Sequence, residues 1–141
     1  MSILTTPEYL TPQWQCLTTK PDTLGESPFW SPHESRLYWV DIPGQRLRRM
    51  TVTSDLSAKQ VVEDWPLKEE PGCFAPAEQG GWVMALRSGI YRANVWGGAL
   101  TLLAPAPYDT SKLRFNDGKC DPEGNFWAGT MYEPRDQAAG V

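Results

Sequence analysis

Histidine is almost missing. His33 is the single one in 141 residues, so a Ser-His-Asp hydrolase would have to build its triad on a residue set in turn material, where a lone imidazole is ordinarily solvated. The patterns GxSxG, HExxH, GxxxxGK[ST] and GxGxxG are absent too, which argues against a nucleophile elbow, a zincin helix, a P-loop and a dinucleotide turn. Cysteine is scarce: Cys16, Cys73 and Cys120 lie far apart without a CxxC pair. Neither a disulfide framework nor a thiolate zinc site is supported, and all three are expected as buried small hydrophobes. Long basic runs are lacking, and 13 Lys and Arg stand against 17 Asp and Glu for a net charge of -4, so nucleic acid is not an expected partner. No stretch approaches the roughly 18 apolar residues of a membrane span, and "MSILTTPEYLTPQWQCLTTK" has no basic-then-apolar leader pattern. A cytoplasmic protein without a membrane partner is expected.

What is abundant is punctuation. Thirteen Pro and 12 Gly accompany seven Trp, a composition that favours short strands and turns over long helices. Strand-like runs are "RLYWVDI" at 36–42, "GWVMAL" at 81–86 and "NFWAGTM" at 125–131. Each follows a proline turn, at Ser31-Pro32-His33-Glu34, Ala75-Pro76-Ala77-Glu78 and Asp121-Pro122-Glu123-Gly124, where Pro fixes φ and its neighbours tolerate the bend. The prolines are 44 and 46 residues apart. "ESPFW", "EPGCFA" and "FNDGKC" precede them as polar entries into apolar strands. Leu47 and Tyr91 each stand 15 residues after their proline in a third strand, and a fourth follows at 59–65 and 99–105. Four short strands in a period of about 45 residues mark a β-propeller blade. The expectation is an all-β chain, residues 1–141 forming one domain: about three four-stranded blades, with the third cut short. Such an open arc would expose strand edges that invite self-association.

Carboxylates and amides gather at the entries. Glu26 precedes the first strand of the first repeat, and Asn116 and Asp117 hold the equivalent place in the third. First strands line the channel of a propeller, so oxygen donors at these entries converge, as a hard divalent ion requires. On spacing alone the plainer reading is a solvated acid at Glu26 and a tight turn at Asn116-Asp117-Gly118. Arg114 suits forked contacts to hydroxyls or a carboxylate, or a surface position. Asp41 and Asp121 read as strand-end and turn residues, and Trp30, Trp39, Trp82 and Trp127 as core.

"LGESPFWSPHESRLYWVDIPGQRLRRM" and "RFNDGKCDPEGNFWAGTM" closely resemble the best marked stretches in the N-terminal half of the gluconolactonase, regucalcin (senescence marker protein) and luciferin-regenerating enzyme family. "EEPGCFAP" and "GGWVMALRSGIYR" between them look like its bacterial sugar-lactonase branch. The resemblance runs through essentially the whole chain after about residue 14. It implies a six-bladed propeller with one divalent metal (Ca, Zn, Mn or Mg) in the channel, and hydrolysis of a sugar lactone to the aldonic acid. By the same resemblance Glu26 is a metal ligand, and Arg114 and Asn116 face the sugar. A substrate-contacting glutamate often stands three residues after AGTM; here Pro134 holds that place, and Glu133, one residue early, is carried as a substrate-binding candidate. The other metal ligands, and the aspartate taken as general base, belong to later blades. No catalytic residue is therefore assigned within the chain, and these residues alone are expected to be inactive or nearly so. The alternative is a non-catalytic, calcium-binding regulatory propeller.

Overall fold

The computed structural model describes residues 11–53, 55 and 60–139. Within them the chain folds into ten strands with no helix. β1 (Gly25–Ser31), β2 (Arg36–Asp41), β3 (Arg46–Thr51) and β4 (Val62–Pro66) form one antiparallel sheet in chain order. β5 (Pro71–Pro76), β6 (Trp82–Leu86), β7 (Gly89–Ala93) and β8 (Thr101–Pro105) form a second. β9 (Leu113–Cys120) and β10 (Phe126–Tyr132) pair as a third, two-stranded sheet. The strands expected from the repeat are all present, with Leu47 in β3 and Tyr91 in β7; Lys59, the first residue of the fourth expected run, lies outside the described residues.

Local chemistry accounts for the boundaries. Asp121 accepts from the Asn125 backbone amide at 2.8 Å while Gly124 N donates to the Asp121 carbonyl at 3.1 Å, an Asx-type turn of the kind its sequence predicts. Asp41 is fully buried at the end of β2, where it accepts from the Leu24 amide at 3.1 Å and from Arg46 Nη2 at 2.7 Å. Pro28 cannot donate to a ladder, and the β1–β2 register slips between Glu26 and Phe29. Asn116-Asp117-Gly118 is no isolated turn: all three residues lie within β9.

The three sheets meet through β1, β5 and β9. Between the first and second lies the main core, in which Tyr38, Trp65, Phe74, Trp82, Met84 and Leu86 are buried and Trp96 packs against them. Its rings interlock, Tyr38 against Trp82 at 4.6 Å and Trp65 against Trp96 at 5.4 Å between centroids, and Arg49 lies over Trp96 at 4.3 Å. Apolar area removed from water is the main stabilising term here, with edge-on ring pairs and the cation–π contact adding to it. A smaller core of Cys73, Ala85 and Phe115 lies between the second and third sheets.

Expectations about burial need correcting at four residues. Trp39 and Trp82 are core residues, but Trp30 and Trp127 are 46% and 66% exposed, because the sides of β1 and β10 that carry them face no neighbouring sheet among the described residues. Cys16 and Cys120 are also exposed, one ahead of β1 and the other where β9 runs out into a turn. Only Cys73 is buried, and burial pushes its thiol up to about 12.

Candidate functional site

Glu26 sits in the irregular first turn of β1, exposed, beside Ser27, whose backbone is left-handed at φ 52°. A non-glycine residue in that region is a strained feature, and a bulge re-aims the side chains around it. Among the described residues none donates to the Glu26 carboxylate, which is left to solvent. Its neighbour Ser27 and Asn116's neighbour Asp117 line one cleft of about 400 Å³ between the inner strands, floored by Phe29 and Phe74 and edged by Lys119 and Cys120.

Arg114, Asn116 and Glu133 come together. Arg114 is buried at 5% exposure, and its Nε and Nη1 donors are committed to oxygens. Nε donates to Glu133 Oε1 at 3.1 Å, and Nη1 to the Phe115 carbonyl at 2.9 Å and to Asn116 Oδ1 at 3.0 Å. Nη2 meets only the Met131 thioether, a weak acceptor, at 4.0 Å. With Asn116 Oδ1 committed to the arginine, its Nδ2 amine is the part of the amide left to donate outward.

Two residues that local reading did not single out complete the group. Arg87, in the turn after β6, donates from Nη2 to Glu133 Oε2 at 2.8 Å and from Nε to Glu70 Oε2 at 2.9 Å. Its Nη1 donates to the carbonyls of Thr110 at 3.0 Å and Leu113 at 3.4 Å. The Arg87 hydrogen bond holds the Glu70 carboxyl below the usual glutamate range, and Glu70 in turn raises the guanidinium. Acids and guanidiniums thus alternate from Glu70 through Arg87 and Glu133 to Arg114. The signal for these residues was in the repeat: Glu26, Glu70 and Asn116 each stand six residues before the repeat proline, and Arg87 and Glu133 each stand 11 after it.

A divalent ion needs several convergent oxygens. Among the described residues no three of His, Cys, Asp and Glu converge as a cation site. Asn116 Oδ1 accepts from Arg114 and Asp117 Oδ1 from the Gly118 amide at 2.8 Å, so of these three residues the one with both carboxylate oxygens uncommitted is Glu26. It fits one ligand of a shared ion rather than a complete site.

The family model described as the SMP-30/Gluconolactonase/LRE-like region matches residues 24–141. The chain belongs to this family. It is 44% identical over 126 residues to a 6-deoxy-6-sulfogluconolactonase from Pseudomonas putida, covering 89% of this chain and 42% of that protein. It is 38% identical over 119 residues to a regucalcin from Xenopus laevis, covering 84% of this chain and 38% of the relative. The crystal structure of a calcium-binding protein, regucalcin, from Agrobacterium tumefaciens superposes with a TM-score of 0.74 at 27% identity, over 88% of this chain and 40% of that one. The chain therefore spans about two fifths of the length of the family members it matches, and its ten strands take the fold of the corresponding part of the regucalcin propeller.

Proposed function

We propose that the chain contributes the entry blades of a metal-dependent sugar lactonase that opens a lactone to its aldonic acid. The observation that carries this reading is the hydrogen-bonded group of Arg114, Asn116 and Glu133, with Asp117, next to Asn116, and Ser27, next to Glu26, lining one cleft. The lactonase name of the Pseudomonas relative supports it.

In this reading Glu26 would hold a divalent ion together with ligands from elsewhere in the protein. The chemistry such an ion supplies when bound is Lewis-acid polarisation of a carbonyl and activation of water. The chain's own groups bind and orient the sugar. Arg114 Nη2 and Asn116 Nδ2 are the donors left over from the internal network, and they suit hydroxyl oxygens. Each Glu133 oxygen keeps a lone pair beyond its guanidinium partner and accepts from a hydroxyl. A substrate placed by such fixed donors loses less freedom on reaching the geometry of attack.

A pH-stat measurement of acid release from gluconolactone, with and without divalent ions, tests the reading in the full-length protein. Glu26→Ala is expected to abolish the ion-dependent rate while the circular dichroism is unchanged. A variant that hydrolyses as fast as the parent overturns the assignment of Glu26. The description of the Agrobacterium relative as a calcium-binding protein favours a second reading, a regulatory propeller without catalysis. Calcium heat in calorimetry without turnover of any aldonolactone would decide for it.

A further inference from the structure

We propose that Arg87, steadied by Glu70, is a positioning residue that sets the arrangement of Glu133 and Arg114 and with it the fit of the substrate. The proposal rests on the lactonase reading of that group. Arg87 belongs to the second sheet, and the pair it controls belongs to the third. Its partners are the carbonyls of Thr110 and Leu113, at the start of β9, and the carboxylate of Glu133, just past the end of β10. Glu133 N donates to the Lys112 carbonyl at 2.9 Å and closes the same two ends together. One planar guanidinium therefore grips both ends of the β9–β10 hairpin.

The geometry is difficult to replace. Glu133 is a half-exposed side chain with many rotamers, and a single guanidinium contact would leave it mobile. Arg87 and Arg114 approach its two oxygens separately, Oε2 and Oε1, which fixes the carboxylate plane. Arg114 is oriented in turn by Glu133 on one side and by Asn116 on the other. Glu70 takes the Nε of Arg87 at 2.9 Å, so the arginine cannot swing away. Lysine in this position has one compact charge and no fork, and cannot serve the acid, the carbonyls and Glu133 together. The first repeat has Pro43 where the others carry Arg87 and Glu133, so this link belongs to the second and third blades.

The test uses nitrogen-15-labelled full-length protein. The Nε–H resonance of Arg114, assigned by its loss in Arg114→Lys, is expected to be protected from exchange in the parent. In Arg87→Gln it is expected to shift and lose protection, while that of Arg48, which donates to Asp64 at 2.8 Å, stays. An unchanged Arg114 resonance in Arg87→Gln overturns the proposal. On a sugar lactone, Arg87→Gln is expected to raise KM about tenfold with kcat held within about twofold, and Arg87→Lys to fall between. An unaltered KM in Arg87→Gln also overturns it. Should Arg87→Gln fail to fold, Glu70→Gln keeps the arginine and weakens only its Nε contact, by removing the acceptor's charge. It is expected to give the same changes at smaller size, and parental values in both measurements count against the proposal. If the parent turns over no lactone, the lactonase reading falls, while the Arg114 resonance still decides whether Arg87 sets that group.

Discussion

β5 has two neighbours and meets them by opposite means. Towards the first sheet it presents Phe74 to a pack of rings that includes Tyr38 and Trp82. Towards the third it presents Cys73, with Ala85 and Phe115 as its buried company. The first junction is thick and apolar. The second is thin, and a Cβ built on Gly72 would come within 2.5 Å of the Phe115 carbonyl group and 2.7 Å of the Asn116 oxygen. Close backbone approach and the chain of charges from Glu70 to Arg114 replace the missing hydrophobic thickness. The division teaches that stability and site geometry reside at different junctions of one strand: rings hold the sheets together, and charges with a glycine set the polar residues in place.

Trp82→Ala should break this contrast most severely. It removes the ring that touches Tyr38, Phe74 and Trp96, and a loss of about 3–5 kcal/mol is expected in urea unfolding. A loss under about 1 kcal/mol would mean that the ring cluster is not the principal store of stability. Gly72→Ala probes the thin junction. The obstructing atoms are backbone and cannot rotate away, so a smaller loss of about 1–3 kcal/mol is expected, with β9 displaced at Asn116. Amide chemical shifts of residues 113–118 would report that displacement, and their constancy would show that the two strands have slack. The mildest change is Glu70→Gln. The folded-state pKa of Glu70 is depressed by Arg87, so its contribution is complete above the ordinary glutamate range and is lost as pH falls through the lower folded value. The parent should exceed the variant by about 0.5–1 kcal/mol near neutrality. Urea midpoints at about pH 7 and about pH 3 should show that gap closing in acid; a gap that persists would assign the effect to packing.

Much of the fold could be read in advance because its signals are local. A proline turn, an alternating strand and a spacing of 44 or 46 residues are each visible within a short window, and every strand of the first two sheets lies where that spacing puts it. Burial was less legible. Trp30 and Trp127 stand in short strand runs as Trp39 and Trp82 do, and the presence or absence of an adjoining sheet separates the two pairs. In the candidate site, Arg114, Asn116 and Glu133 could be named one by one. Their mutual engagement could not, because Arg87 and Glu133 are 46 residues apart and meet only when two sheets pack. The equal offsets of Arg87 and Glu133 within their repeats were the available clue, since equivalent positions of adjacent blades lie side by side.

Because neighbouring residues of β5 serve opposite partners, its alignment is checked twice. A slip by one position would drive Phe74 into a gap sized for a thiol and set Cys73 before the indole of Trp82, since every side chain changes face when register moves by one. Either neighbour alone would reject the misalignment. The middle strand thus acts as the keystone of the arc, one whose wrong seating is refused from both sides before the polar group beyond it can assemble.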